Sequence, residues 1–395
     1  MVYIAAAGLV SALGANLQET AENISRQQAP GFHRNNQWLV GGRSTWVGEV
    51  ACSLATIDPS MKACNSRNNQ VLLTALNQIR SQIEDVISQY GAHRVGIILG
   101  TSTSGLNESY MAMRACAQSE PLDWYVYSQQ ELGNTANFVA EHLGITGPCY
   151  SVSTACSSGA RAIMSAANLL QAGLVDAVIT GGADTLNPVT VNGFDSLSVL
   201  SQDRCTPFAQ GRSGINIGEG ASVLLLTREK LKGSESAVAL LGSGESSDAW
   251  HMSAPHPEGI GAKLAMVQAL KEAGLRPEDV GYISLHGTAT LLNDQAEACV
   301  IHELFGDSVP CSSIKHMTGH TLGAAGCVGA AIAYILLLHD DLLLPAQDFS
   351  VSPYDETLPP FGILRAPAAL QKKVILCNAF AFGGNNACLA LGLRD

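Results

Sequence analysis

Three side chains stand where their types and positions could do chemistry. Cys156 follows the strand-like run SVSTA and precedes a segment rich in small, helix-forming residues, so its sulfur falls at a strand-to-helix turn. The N–H groups and macrodipole at a helix start favour a thiolate and can hold a developing oxyanion, so the Cys156 pKa is expected to be lowered. The alternative is a buried inert thiol, the reading that suits most of the other cysteines. His286 ends the run YISLH and opens into GTAT, and His320 lies in KHMTGHTLGAAG just ahead of a second helix of small residues. A lone His at such a place is more often structural. One Cys and two His at matching strand ends form a set that suits one reaction. A thiolate takes an acyl group from a thioester, and loss of carbon dioxide from a malonyl thioester leaves an enolate whose oxygen two imidazoles can hydrogen-bond. The carbanion then attacks the acyl carbonyl. Neither a metal nor a redox cofactor is needed.

The elements that must position these groups read as α/β. Apolar runs bounded by Gly and polar turns alternate with helical-period segments, as expected of parallel strands joined by crossover helices. Buried strands are predicted at Val2–Ala7, Val95–Leu99, Ala177–Thr180, Ala221–Leu226, Tyr282–Leu285 and Val374–Asn378. Cys149–Leu170 and Pro310–Leu338 each run from strand to loop to small-residue helix, which points to an internal duplication. The boundary is placed near residue 235, in Lys230–Ser236, giving an N-terminal half 1–235 and a C-terminal half 236–395. The least regular stretch, 25–70, is expected to hold excursions from the core.

Composition narrows the function classes. With 395 residues, 14% of them charged, the chain can bury a large core without staples. A formal net charge of -12 argues against nucleic acid and against an anionic membrane surface. The 11 cysteines are odd in number and show no CxxC pairing, and no apolar stretch follows a basic start. A disulfide framework and secretion are therefore disfavoured, and a reducing cytoplasm is the expected compartment. The longest greasy run, Ala330–Leu338, is broken by His339, Asp340 and Asp341, so no membrane span is expected.

The strings STACSSGARAI, LHGTATLLNDQAE, KHMTGHTLGAAG and NAFAFGGNNACL, in this order and spacing, resemble the signatures of the β-ketoacyl-acyl-carrier-protein synthase family. GGADTL, PFAQGRSGINIGEGA and SSDAWHMSAPHPEG resemble it too, so the likeness spans nearly the whole chain. It implies a thiolase fold, two similar βαβαβ-type halves forming a five-layered α-β-α-β-α core. It implies that Cys156 is the acylated nucleophile, that His286 and His320 promote decarboxylation, and that Lys315 orients the cluster. Glu297 and Asp294 resemble the acidic residues supporting Lys315 and its loop, with a place on a helix surface as the alternative for Glu297. Thr288 and Thr290 resemble the hydroxyls that meet a pantetheine arm, or cap a turn. Phe382, with Gly383 and Gly384, resembles the gate of the acyl pocket, its N–H joining that of Cys156 in an oxyanion hole. Thr103, in the segment Thr101–Ser104, resembles a residue of the pocket floor.

Some positions depart from the family pattern. Ala381 stands where Gly is usual, Asn385 for a common Thr, Ala379 for a common Ser, and His316 where Ser is frequent. Ala381 adds a Cβ to a loop that must swing, so stiffer gating is expected. His316 lies outside the GHxxGAAG frame and is not taken as catalytic. TSTSGLNES and SRNNQ resemble the stand-alone ketosynthases of bacterial aryl polyene clusters more than housekeeping enzymes. A non-catalytic chain-length partner would lack the nucleophile, and a thiolase would need a second Cys, for which Cys388 is the candidate, a buried strand residue being its simpler reading. The resemblance implies no cofactor beyond substrates carried on the phosphopantetheine of an acyl carrier protein. It also implies a homodimer, a heterodimer with a related ketosynthase-like chain being the other arrangement. Lys62 and Arg67 are the candidates for a basic carrier-docking patch, or else ordinary surface charge.

Overall fold

The computed structural model describes residues 2–231 and 237–394, so the boundary set near residue 235 lies outside the described residues. The main strands are β1 (Val2–Ser11), β2 (Val95–Gly100), β3 (Cys149–Val152), β4 (Ala177–Asp184), β5 (Gly220–Thr227), β6 (Val238–Ser247), β7 (Tyr282–Ser284), β8 (Cys311–Ser312), β9 (Val374–Phe380) and β10 (Asn385–Leu393). They form one 10-stranded sheet ordered β3-β2-β4-β5-β1-β6-β10-β9-β7-β8. Pairing each strand with its counterpart in the second half (β1 with β6, β2 with β7, and so on) gives the same spatial order twice, mirrored about the β1–β6 junction. Polarity repeats as well. β2 is parallel to β3 and β4, as β7 is to β8 and β9, while the strands nearest the junction run antiparallel in both halves. The duplication read from the sequence is thus borne out, but the sheet is mixed, not parallel throughout.

Five helices matter for the site: α1 (Arg67–Asn77), α2 (Ser158–Gln171), α3 (Ile260–Ala273), α4 (Leu291–Phe305) and α5 (Ala325–Leu338). α2 and α5 pack on each other between the two sheet halves, α1 covers the outer face of the first half and α3 that of the second, which makes the five layers. Small residues set the central spacing. A Cβ on Gly326 would lie 2.8 Å from that of Ala160, and one on Gly159 would lie 2.9 Å from the sulfur of Cys327. Only glycines at these points let the two helices meet at their N-terminal ends, where Cys156 and His320 stand. Burial of apolar side chains such as Ile97, Ile98 and Leu99, none of them exposed, holds the layers together at about 1.5–3 kcal/mol each.

Each strand predicted from the sequence is present within a few residues. Two long ones were not predicted as whole strands, although Cys388 of β10 was read as a buried strand residue. β6 is half Gly and Ser, and β10 opens Asn-Asn and continues in Ala and Leu; their local preferences favour turn and helix, and pairing on both sides overrides them. The irregular early region contributes a small sheet in which Phe32–Asn35 and Thr45–Gly48 join Ile217–Gly218. Among the described residues no helix is long and apolar enough to cross a membrane.

Candidate active site

Between β3 and α2 the chain reverses through Ala155, whose φ of +50° is a left-handed conformation that non-glycine residues avoid. Ser158 fixes the turn, its hydroxyl accepting from Thr154 N–H at 2.9 Å and donating to the Ala155 carbonyl at 2.6 Å. Cys156 is thereby aimed into the cleft between the halves, 6% exposed. From the second half, His320 places Nε2 3.0 Å from the Cys156 sulfur. Its Nδ1 accepts from the Leu322 N–H at 3.2 Å, so neutral His320 carries its proton on Nε2 and presents a donor to the cleft. His286 is arranged alike: Lys315 Nζ lies 3.4 Å from its Nδ1 and also donates to the His286 carbonyl. The imidazole rings are 5.4 Å apart and nearly perpendicular, at 82°. Together with Thr288, Phe194 and Phe382 they line a cavity of ≈ 20 Å³, room for about one water.

Burial dominates the electrostatics. It pushes the Cys156 thiol up to about 11, with Lys315 and the backbone N–H of Phe382 and of Cys156 itself pulling the other way. The lowering expected from the helix start is therefore outweighed in this closed site. Burial, reinforced by Lys315, holds His286 and His320 well below the ordinary imidazole range. Burial also lowers Lys315 to about 8, against the pull of Glu297. Alkylation of Cys156 by iodoacetamide is accordingly expected to keep rising about tenfold per pH unit past the usual thiol range of about 8.5. Lys315 is charged only below about pH 8, so Lys315→Ala should slow alkylation near neutral pH and leave the rate in the alkaline range nearly unchanged. A plateau near 8.5 in the wild type would contradict this electrostatic picture.

Two buried carboxylates of α4 hold the loop that carries His286. Glu297 accepts from the N–H groups of His286 and Gly287, both at 2.7 Å, and from Asn378 Nδ2 at 3.1 Å. It is 1% exposed, which overturns the helix-surface alternative, and burial raises its pKa to about 7. Asp294 accepts from Phe208, Thr288 and Ala289 N–H at 2.8, 3.0 and 3.1 Å. Both acids bond the loop backbone, and Glu297 acts on Lys315 through space. Glu297→Ala would orphan two buried N–H groups, an expected cost of about 2–5 kcal/mol in unfolding free energy, with Glu297→Gln costing less because it keeps an acceptor. Equal thermal stability of Glu297→Ala and wild type would refute this role.

Thr288 lines the cavity, and its hydroxyl lies 2.9 Å from that of Thr290. Thr290 stands at the start of α4 without capping it by its side chain, and lines an adjoining cavity of ≈ 220 Å³ with Arg212, Ser253 and Pro255. Phe382 borders both cavities and so partitions them. Behind it Gly383 and Gly384 have φ of +82° and +77°, and their backbone is tied to the 248–252 loop: Gly383 N–H donates to Met252 O at 2.9 Å, and Asp248 N–H to Gly384 O at 2.8 Å. Ala381 is extended, at φ −99°, so its Cβ is accommodated in this conformation.

Not every sequence candidate joins the cluster. The Thr103 hydroxyl is 2.7 Å from Asp184 Oδ1, and Thr103 does not line the cavity at Cys156. His316 is buried elsewhere, its Nδ1 2.9 Å from the Ser313 carbonyl, facing a cleft with Arg204 and Asp348. Arg67, offered for carrier docking, has its guanidinium spent on the buried Glu219, with Nε 2.9 Å from Oε2. Lys62 is exposed and donates to the Asp123 carbonyl. Cys388 is fully buried in β10, away from the cavity lining. Sequence reasoning missed the parts played by Asn378 and Asp184. A carboxylate ending the apolar strand 177–184 was the available signal for the second.

The chain matches the family model for the beta-ketoacyl synthase N-terminal domain over residues 2–232 and that for the C-terminal domain over 237–350. It is 32% identical over 328 residues to 3-oxoacyl-[acyl-carrier-protein] synthase 2 of Vibrio cholerae, covering 77% of each chain. It is 31% identical over 338 residues to the enzyme of the same name from Staphylococcus aureus, covering 82% of this chain and 83% of that one. Among solved structures it is similar to a chain in the complex of the ketosynthase ApeO with its chain length factor ApeC from Xenorhabdus doucetiae. That match has a TM-score of 0.96 and 49% identity, covering 100% of this chain and 98% of the other. The chain belongs to the β-ketoacyl synthase family and is a 3-oxoacyl-[acyl-carrier-protein] synthase, an acyltransferase that joins acyl units by condensation.

Proposed function

We propose that Cys156 takes the acyl chain from a carrier thioester, its sulfur bonding the carbonyl carbon as the carrier thiol leaves with the cysteine proton. The oxyanion formed on the way is held by the N–H groups of Cys156 and Phe382. A malonyl unit on an acyl carrier protein then enters along the cavity bordered by Thr290, its arm passing Thr288 and Thr290. Its thioester oxygen lies between the Nε2–H groups of His286 and His320. Loss of carbon dioxide places the electron pair on the enolate, those two donors stabilise it, and the carbon attacks the acyl carbonyl; the acyl C–S bond breaks, the Cys156 thiolate takes a proton from water, and a 3-oxoacyl thioester two carbons longer is released. Lys315 keeps His286 in the donor tautomer. Because ≈ 20 Å³ cannot admit an acyl chain, Phe382 must swing away, with Gly383 and Gly384 as the pivot.

The observation that carries this reading is the meeting of one sulfur and two Nε2–H donors at the junction of the halves, with His320 3.0 Å from the thiol. For the pathway we favour aryl polyene assembly, supported by the sequence likeness to ketosynthases of such clusters. For the partner we favour a chain-length-factor-like protein: ApeO, in the complex that is 49% identical in one chain, stands beside its chain length factor. Strand β3 is one edge of the sheet and exposes Tyr150, and Met113, Trp124 and Tyr127 of the segment before it are also exposed, apolar surface suited to a partner. Incubation with alkyl and aryl-enoyl carrier thioesters plus malonyl carrier protein, with and without a chain length factor, tests this. Elongation of aryl-enoyl donors that rises on adding the partner is the expected result. Elongation of alkyl donors alone, independent of any partner, would place the enzyme in fatty acid synthesis.

A further inference from the structure

Asp184 ends β4 with no exposed surface, and its carboxylate is surrounded entirely by donors. From the loop after β2 it accepts the hydroxyls of Thr101, Ser102 and Thr103 at 2.7, 2.6 and 2.7 Å, and the N–H groups of Ser102 and Thr103 at 2.9 Å. From the other half of the molecule it accepts the Gly323 N–H at 2.5 Å. Gly323 has no room for a side chain: a Cβ would stand 2.6 Å from Asp184 Oδ2. The residue before it, Leu322, is held at φ +51°, a left-handed conformation that a γ-branched side chain does not adopt unaided. In that conformation its N–H meets Nδ1 of His320.

We propose that Asp184 is a positioning residue that fixes the tautomer of His320, acting through Gly323 and the strained Leu322. The carboxylate anchors Gly323, the anchor keeps Leu322 left-handed, and the Leu322 N–H occupies Nδ1, so the proton stays on Nε2 facing Cys156. Without the anchor Leu322 relaxes toward an ordinary conformation, its N–H leaves the ring, and the neutral imidazole populates the Nδ1–H form. That form offers a lone pair where the reaction needs a donor. The three loop hydroxyls serve the same anchor, so they are spent on Asp184 and do not face a substrate. The inference rests on the proposed role of His320 for its effect on rate, but not for its effect on the ring.

The test uses the full-length enzyme with ¹⁵N-labelled histidine. In the wild type His320 is expected as the Nε2–H tautomer, with Nδ1 unprotonated and hydrogen-bonded, throughout the neutral range. Asp184→Asn, whose amide turns an NH₂ group toward donors, should show a mixture of tautomers, together with a loss of malonyl decarboxylation of about tenfold or more. Asp184→Glu keeps the charge and should lie between, which covers the case where the Asn variant does not fold. A wild-type ring protonated on Nδ1, or folded variants whose His320 signals match the wild type, would overturn the proposal. A wild-type enzyme with the Nε2–H form but no decarboxylase activity would instead count against the function proposed for the site.

Discussion

Cys156→Ala is expected to abolish acyl transfer and condensation, by at least about 10⁴-fold, while the protein stays folded and still decarboxylates malonyl carrier protein. The first part follows from the geometry. The cavity holds one sulfur, and the neighbouring buried thiols Cys205 and Cys327 are not part of its lining, so no second nucleophile can substitute. The second part follows from the division of labour. Decarboxylation needs donors at the thioester oxygen, and both imidazoles remain after the substitution, their orientation set by Leu322 and Lys315, not by the sulfur. Replacing the thiol by a hydrogen removes one buried sulfur atom and leaves no polar group unpaired, so the fold should persist and circular dichroism should be unchanged. Residual condensation within tenfold of the wild type would mean that the acyl chain is carried elsewhere. Loss of decarboxylation together with acyl transfer would mean that the two steps are not separable as described.

His320→Ala is expected to lower malonyl decarboxylation by about 10²–10³-fold, the usual effect of deleting one donor aimed at a developing oxyanion. Acylation of Cys156 should fall less, because the Phe382 and Cys156 N–H groups still serve the acyl oxyanion and Lys315 still acts on the sulfur. His320→Gln, which keeps an N–H donor of similar reach, should recover part of the lost rate. The comparison distinguishes a donor from a base: a neutral His320 already protonated on Nε2 cannot take the cysteine proton there. Measurement of carbon dioxide release and of acyl-enzyme formation in separate assays decides it. Equal losses in both assays, with no rescue by Gln, would assign His320 to proton abstraction from the thiol.

Much of this site was legible in the chain. Cys156, His286 and His320 could be named because each sits at the end of a core element beside turn residues and because their motifs resemble a known family, while Lys315 could be named from that resemblance alone. The strands at 2–11, 95–100, 177–184 and 374–380 were legible as continuous runs buried on both faces. What escaped was non-local. β6 and β10 are strands because of their neighbours, not their composition. The rise of the Cys156 pKa comes from burial by the whole fold, which a helix-start argument cannot weigh. Arg67 looked like free surface charge because its partner Glu219 lies 152 positions away. Asp184 and Gly323 lie 139 positions apart, and nothing along the chain says that they meet.

The most direct test of the central claim is peptide mapping by mass spectrometry after a short incubation of the enzyme with an acyl carrier thioester, followed by a chase with malonyl carrier protein. The acyl mass is expected on the peptide containing Cys156 alone, and the chase should clear it as a 3-oxoacyl carrier thioester two carbons longer. Acylation of another residue, or an acyl-Cys156 that malonyl carrier protein leaves untouched in the folded enzyme, would contradict it.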